Sequence, residues 1–288
     1  MLILKTADTI AGHAGFLKEE NKLTGFVPTM GALHEGHLSL IKESRKHNRL
    51  TICSIFVNPT QFNDPADYQR YPVTVEKDIQ LLEEAGTDIL FLPGVETIYP
   101  GGADHLPKYE LGNLEHILEG KYRPGHFQGV CQVMHRLLQL TRPDNLYMGR
   151  KDYQQCMVVA KLLQLMGSPT RLHPCPTLRE PDGLAMSSRN QRLSRQEKMQ
   201  ATALSKALYY VRQHIRTGSL GILKEQAGKL LDKDIFRLDY LEIAHAESLE
   251  TVEQWDGRSP LVALIAAFIG EVRLIDNMPV GGQIKDIS

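Results

Sequence analysis

The sequence has almost no net charge: 33 Lys and Arg stand against 34 Asp and Glu in 288 residues. That balance removes the blanket attraction to nucleic acid or to an anionic membrane surface, so neither is expected as a partner. Long apolar runs are missing as well. The longest, Leu261 to Ile269, is about half of what a membrane-crossing helix needs and reads as a buried strand. Cysteine is sparse: Cys53, Cys131, Cys156 and Cys175 are far apart and form no CxxC. A disulfide framework is excluded, and a reduced, cytoplasmic protein is expected. The N-terminal MLILKTADTIAGHAG has no basic-then-apolar-then-small signal pattern. Repeats and low-complexity tracts are absent too. With 42% hydrophobic and 23% charged residues, the chain has ordinary globular composition, which disfavours disorder.

What is present is alternation. Up to Pro174, strand candidates at 2–4, 23–27, 50–57, 88–92, 145–148 and 170–173 alternate with helical patterns near 7–20, 36–48, 73–86, 126–141 and 152–166. In the third helix Val75, Ile79, Leu82 and Ala85 fall on one face. This order predicts βαβ units and a Rossmann-like parallel α/β sheet. After Pro176 two helical patterns, near 194–217 and 220–231, precede two strand-like stretches, RLDYLEIAH and LVALIAAFIGEVRLIDN. A smaller α+β domain is expected there, giving domains 1–176 and 177–288. The final GGQIKDIS reads as a loose tail.

The most informative segment is P-T-M-G-A-L-H-E-G-H, residues 28–37. It turns from a strand into a helix at the sheet edge where α/β proteins bind ligands. Gly31 and Gly36 permit close backbone approach, and a helix start favours an anion. The spacing imitates a Walker loop, but His37 and Leu38 stand where Lys and Ser/Thr belong. His34 and His37, three apart, can present two N–H donors to a phosphate that gains charge during transfer. Zinc ligation and two unrelated surface histidines are the alternatives. The first lacks an H-E-x-x-H motif or a third ligand, and no metal held by the protein is expected. The second leaves the flanking glycines unexplained.

Other polar clusters lie at predicted strand ends. Asn58 and Gln61 follow an apolar strand and suit a small polar ligand, or form an Asx turn at Pro59. Lys151 opens a helix, where the dipole favours anions, so a phosphate between the two removes the conflict; a solvated lysine is the alternative. Asp152 caps that helix or holds ribose hydroxyls. Ser187, Ser188 and Arg189 follow a P-D-G turn and suit a loop closing over a triphosphate, or a plain cap and linker. Arg123 fits a carboxylate or a structural ion pair equally well. His13, His47, His105, His116, His135, His173, His214 and His245 show no partner pattern and read as surface or packing residues.

The H-x-G-H turn resembles that of the nucleotidyltransferase and class I synthetase superfamily. Together with FVNPTQF (56–62), RPGHFQGV (123–130), GRKDYQQ (149–155), REPDGLAMSSRN (179–190) and RLIDN (273–277), the chain resembles the pantothenate synthetase (pantoate–β-alanine ligase) family over nearly its whole length. That resemblance implies ATP contacts from Met30, Gly31, Ala32, Leu33, His34, Glu35, Gly36 and His37. It also implies them from Gly149, Arg150, Lys151 and Asp152, from the backbone of Leu178, and from Met186, Ser187, Ser188 and Arg189. It places pantoate against Gln61 and Gln155, with β-alanine beside Gln61 and Asn58 nearby, and it implies a homodimer. Met148, where Phe is common, and Arg192, where Tyr is usual, depart from the family pattern.

The reaction so implied has two halves. The pantoate carboxylate attacks the α-phosphorus of ATP, with Mg²⁺ accompanying the nucleotide, and pyrophosphate leaves. The β-alanine amine then attacks the pantoyl adenylate, releasing pantothenate and AMP. His37, His34, Lys151, Ser187, Ser188 and Arg189 are the candidates for stabilising charge in the first half. The competing readings are a phosphate-joining nucleotidyltransferase, a class I tRNA synthetase and a nucleotide-sensing or metal-binding module. The first wants basic residues where this chain has Asn58, Gln61 and Gln155; the second wants more nucleic-acid-binding surface. The third leaves those amides without a role.

Overall fold

Short apolar runs, each followed by an amphipathic segment, build a six-stranded sheet in the computed structural model, which describes residues 1–20, 22–103 and 106–282. Its strands are β1 (Leu2–Leu4), β2 (Thr24–Thr29), β3 (Leu50–Ile55), β4 (Ile89–Phe91), β5 (Asn145–Gly149) and β6 (Arg171–Cys175). All pairings are parallel, in the order β1-β4-β3-β2-β5-β6. The helices between them are α1 (Ala7–Glu19), α2 (Glu35–His47), α3 (Pro65–Gln69), α4 (Val75–Glu84), α5 (Val95–Ile98), α6 (Glu119–Tyr122), α7 (His126–Thr141) and α8 (Tyr153–Leu165).

Successive strand residues point to opposite faces, and both faces are buried. Phe26, Ile52 and Phe91 pack with α1, α7 and α8, while Val27, Cys53 and Leu90 pack with α2 and α4. Truncating Phe26, fully buried, would remove about 3–5 kcal/mol. Gly25 lets α2 lie close to the sheet: a Cβ there would collide with Ser44 Oγ. From β2 the chain proceeds outward through β3 and β4, whereas β5 and β6 lie on the other side of β2. The order reverses between β2 and β5, the kind of switch point at whose carboxyl edge open α/β sheets bind ligands.

The later part of the chain supplies α9 (Arg195–His214), α10 (Gly221–Gly228) and strands β7 (Gly218–Ser219), β8 (Phe236–His245), β9 (Gln254–Trp255), β10 (Leu261–Ile269) and β11 (Val272–Gly281). Ser194 Oγ accepts from Glu197 N at 3.2 Å, while Glu197 Oε2 accepts from Ser194 N at 2.8 Å, a capping box that starts α9. The antiparallel sheet has the order β11-β10-β8, and β7 pairs with β9. The expected single stretch from Leu261 to Asn277 is in fact a hairpin. Gly270, at φ +53, reverses the chain with Glu271, a two-residue turn with glycine first. Gly281, placed in the expected tail, instead closes β11, and 283–288 lie outside the described residues. His105 lies outside them as well. The fold is thus a Rossmann-like parallel sheet followed by a smaller α+β domain.

The described residues divide into two compact units, Met1–Arg150 with Gln155–Pro176, and Lys151–Gln154 with 177–282. The grouping of Lys151–Gln154 has a local cause. Asn277 Nδ2 donates to Lys151 O at 2.6 Å, and the Tyr153 hydroxyl donates to Ala246 O at 2.8 Å.

Candidate active site

In the first unit, β2 runs into a turn of two left-handed residues, Gly31 at φ +81 and Ala32 at φ +50. A non-glycine residue held there is strained and needs fixed surroundings. Asp78 of α4, 1% exposed, provides them: Oδ2 accepts from Ala32 N at 2.9 Å and Oδ1 from Leu33 N at 2.8 Å. The Thr74 hydroxyl steadies the same carboxylate at 3.1 Å. Gly31 is required as well, because a Cβ would lie 3.0 Å from Asp78 Oδ2.

The two histidines then start α2 together. His34 is the N-cap: its Nδ1 accepts from Gly36 N at 3.1 Å, and His37 Nδ1 accepts from His34 N at 3.4 Å. The ring centroids are 4.1 Å apart. A neutral imidazole that accepts through Nδ1 carries its proton on Nε2. Both rings are therefore set as Nε2–H donors by the backbone, in the pattern of a capping box. Glu35 is exposed and pairs with Lys42 at 3.4 Å.

Asn58 caps the 3₁₀ turn Pro59–Gln61. Its Oδ1 accepts from Tyr99 OH at 2.8 Å and Thr60 Oγ1 at 3.1 Å, and its Nδ2 donates to Gly129 O and Gln61 Oε1 at 3.1 and 3.2 Å. The Asx-turn alternative thus describes Asn58, which is 1% exposed and spends its amide inside the protein. Gln61 itself is half-buried, and its Nε2 lies 3.0 Å from Met30 Sδ. The Gln61 carbonyl accepts from His126 Nδ1 at 2.8 Å, while Arg123 Nη1 donates to His126 Nε2 at 3.1 Å, so His126 is the Nδ1–H tautomer. Arg123 also reaches Glu119 at 3.7 Å and Asn63 Oδ1 at 3.3 Å, a structural role. Gly149 ends β5 with open space where a Cβ would stand, and Gln155 on α8 is half-buried.

In the second unit, Lys151 lies in the 3₁₀ turn Arg150–Asp152, with Nζ 3.3 Å from the Asp152 carboxylate. Leu178 O accepts from Met186 N at 3.0 Å, and Glu180 N donates to Leu184 O at 2.8 Å, so the P-D-G segment is a tight reversal. Ser187 then caps a 3₁₀ turn, Ser188–Arg192, through Arg189 N at 3.3 Å. Ser188 is buried, whereas Ser187 and Arg189 are half-buried. Asp276 and Arg179 form a bidentate pair at 2.6 and 3.0 Å. Burial pushes the Asp276 carboxyl up from its ordinary value, against the pull of Arg179.

Asp78 lies in none of the sequence strings singled out above, while Gly129, Asp276 and Asn277 stand in RPGHFQGV and RLIDN without a role of their own. The signal available for Asp78 is its place on the apolar face of α4, four residues before the buried Leu82. Met148, one of the two departures, is buried in the core and packs as an apolar residue there. Among the described residues no group of three or more His, Cys, Asp or Glu is arranged to hold a metal. No helix among them is long and apolar enough to cross a membrane.

A parallel sheet whose reversal point carries two imidazole donors at a helix start defines a nucleotide-using enzyme of the class I synthetase-like superfamily. The pantoate-beta-alanine ligase family matches residues 2–279. The pantothenate synthetase of Cytophaga hutchinsonii is 42% identical over 281 residues, 96% of this chain and 99% of that one. The solved pantothenate synthetase of Thermus thermophilus is 40% identical with a TM-score of 0.88, covering 98% of this chain and 100% of its own. The pantoate-beta-alanine ligase of Francisella tularensis, solved with βγ ATP and β-alanine, is 38% identical with a TM-score of 0.81, covering 97% of each chain. The chain belongs to the pantoate–β-alanine ligase family: it is an ATP-dependent enzyme that joins pantoate to β-alanine through an adenylate.

Proposed function

We propose that the Nε2–H groups of His34 and His37 donate to the phosphates of ATP as the pantoate carboxylate attacks the α-phosphorus. The paired Nδ1 caps at the end of β2 carry this reading, because they set both donors before any ligand arrives. The bond to the bridging oxygen breaks and pyrophosphate leaves; Lys151, Ser187, Ser188 and Arg189 act on the same triphosphate. Residues 30–37, 149–152 and 186–189, with the Leu178 backbone, bind ATP. Mg²⁺ arrives with the nucleotide and neutralises part of its charge.

Gln61 and Gln155 bind pantoate, and Asn58 acts through Gln61. The β-alanine nitrogen then attacks the acyl carbon, AMP departs, and the amine proton passes to solvent. Residues 1–176 form the ATP- and pantoate-binding domain, and 177–288 the domain that begins with the nucleotide-covering segment. The family resemblance supports a homodimer working in the cytoplasm.

The test is pyrophosphate release by the purified protein with ATP, Mg²⁺ and pantoate, repeated with β-alanine. A burst of about one equivalent per site, becoming steady turnover when the amine is added, is the expected result. Bound ATP with no pyrophosphate under either condition would overturn it.

A further inference from the structure

Asp276 and Asn277 are neighbours on β11, each 4% exposed. Two consecutive polar residues in a buried strand are unfavourable unless each is bonded. An apolar pair of similar size would fill the strand with less desolvation, so this pair does something that packing alone does not. Its partners show what. Asn277 Nδ2 donates to the backbone carbonyl of Lys151 at 2.6 Å. Asp276 takes both terminal nitrogens of Arg179, at 2.6 and 3.0 Å, and its Oδ1 accepts from Asn277 N at 2.8 Å. The same guanidinium donates onward to Gly183 O at 3.1 Å and Asn277 O at 3.3 Å. Arg179 pairs across the reversal with Ala185, one residue before Met186. One strand thus holds the backbone at Lys151 and both arms of the turn that leads into Ser187–Arg189.

We propose that Asn277 and Asp276 are positioning residues of the adenylation step. Asn277 sets Lys151 through its carbonyl, and Asp276, through Arg179, sets the turn that delivers Ser187, Ser188 and Arg189. The inference rests on the reading that these residues act on the triphosphate. A displacement of about 1 Å in such a group lowers a rate by about 100-fold, so two residues that touch no substrate control the rate of pyrophosphate loss.

The test is a cycle of Asn277→Ala, Lys151→Ala and the double variant in the full chain, read by single-turnover pyrophosphate release with pantoate and by thermal midpoint. Asn277→Ala is expected to slow release about 10- to 100-fold. In the Lys151→Ala background the same change should do less than about threefold, because its effect passes through Lys151. Independent, multiplying losses would assign Asn277 a purely structural role and overturn the proposal, as would Asn277→Ala at the wild-type rate. Lys151→Ala releasing pyrophosphate at the wild-type rate would overturn the underlying reading of Lys151 instead, a distinguishable failure. Arg179→Lys keeps the charge beside Asp276 but loses the fork. It provides a second measurement should Asn277→Ala fail to fold: a loss of about tenfold in release at unchanged pantoate KM is expected, and no loss would overturn the Asp276 arm.

Discussion

Asp78 Oδ2 accepts the backbone N–H of Ala32 at 2.9 Å, across 46 residues of chain, and Ala32 is held at φ +50. The carboxylate stabilises the turn through which β2 passes into α2, where the two histidines pair. Asp78→Asn would turn an amide N–H toward a backbone N–H or give up one of the two bonds. A loss of about 2–3 kcal/mol is expected, since bonds to a buried charge are worth about 1.5–3 kcal/mol. Chemical denaturation together with pyrophosphate release checks this, and an unchanged midpoint with full activity would refute it.

His34 and His37 each have a structural role through Nδ1 and a proposed chemical one through Nε2. Asparagine separates the two, because it caps helices well but has no donor at the Nε2 position. His34→Asn, at the N-cap itself, should keep a near-wild-type thermal midpoint while turnover falls by about 10²–10³. A parallel fall in stability and turnover would make the pair a cap and nothing more.

Gly129 lies against the turn that presents Gln61: a Cβ there would collide with Thr60 O and lie 2.7 Å from Gln61 Cα. Gly129→Ala must therefore push the turn away. Its expected signature is a rise of roughly tenfold or more in the KM for pantoate, with a smaller change in that for ATP. Steady-state kinetics with each substrate varied would read the split, and equal changes in both would refute the placement of Gln61.

Asp144 accepts from Thr24 N at 2.8 Å and Thr24 Oγ1 at 3.1 Å, and pairs with Lys18. Burial raises its pKa, but Lys18 and Thr24 outweigh that and hold it below the ordinary value. A depressed carboxyl pKa stabilises the fold above the unfolded value of about 3.9 and loses that contribution as pH falls through the folded value. Asp144→Asn should thus be less stable than wild type at pH 7 by about 1 kcal/mol, a gap kept small by solvent around Lys18. The gap should narrow below about pH 4. Urea titrations at pH 7 and pH 3 test the sign.

The long periodic elements were legible because burial on both sheet faces forces apolar runs and burial on one helix face forces three- and four-residue spacing. The hairpin at Gly270 was hidden inside one apolar stretch, because a two-residue turn interrupts the pattern too briefly. Helix α3, five residues long, is too short to show a period, although Asp64 before Pro65 is a cap followed by the residue best tolerated at a helix start. At the site, the types and spacing of His34 and His37 were readable. Their tautomers were not, since those depend on which backbone N–H each ring receives. Asp78 acts on a turn far away in sequence, and such a bond has no local pattern. For Asn58 the residue type allows a ligand-facing amide or an Asx turn at Pro59, and only the fold shows that amide in the turn and bonded to Gln61.

All four cysteines are free and buried, and burial pushes the thiols of Cys53 and Cys131 up to about 12 and that of Cys175 to about 11. Because the thiolate is the reactive form, the folded protein offers alkylating and oxidising reagents almost nothing to attack. Handling without reductant should leave it intact. A single cysteine placed at the exposed Gln191 would then be a lone chemical handle beside residues 186–189, where a dye could follow that segment as nucleotide binds with every native thiol left in place.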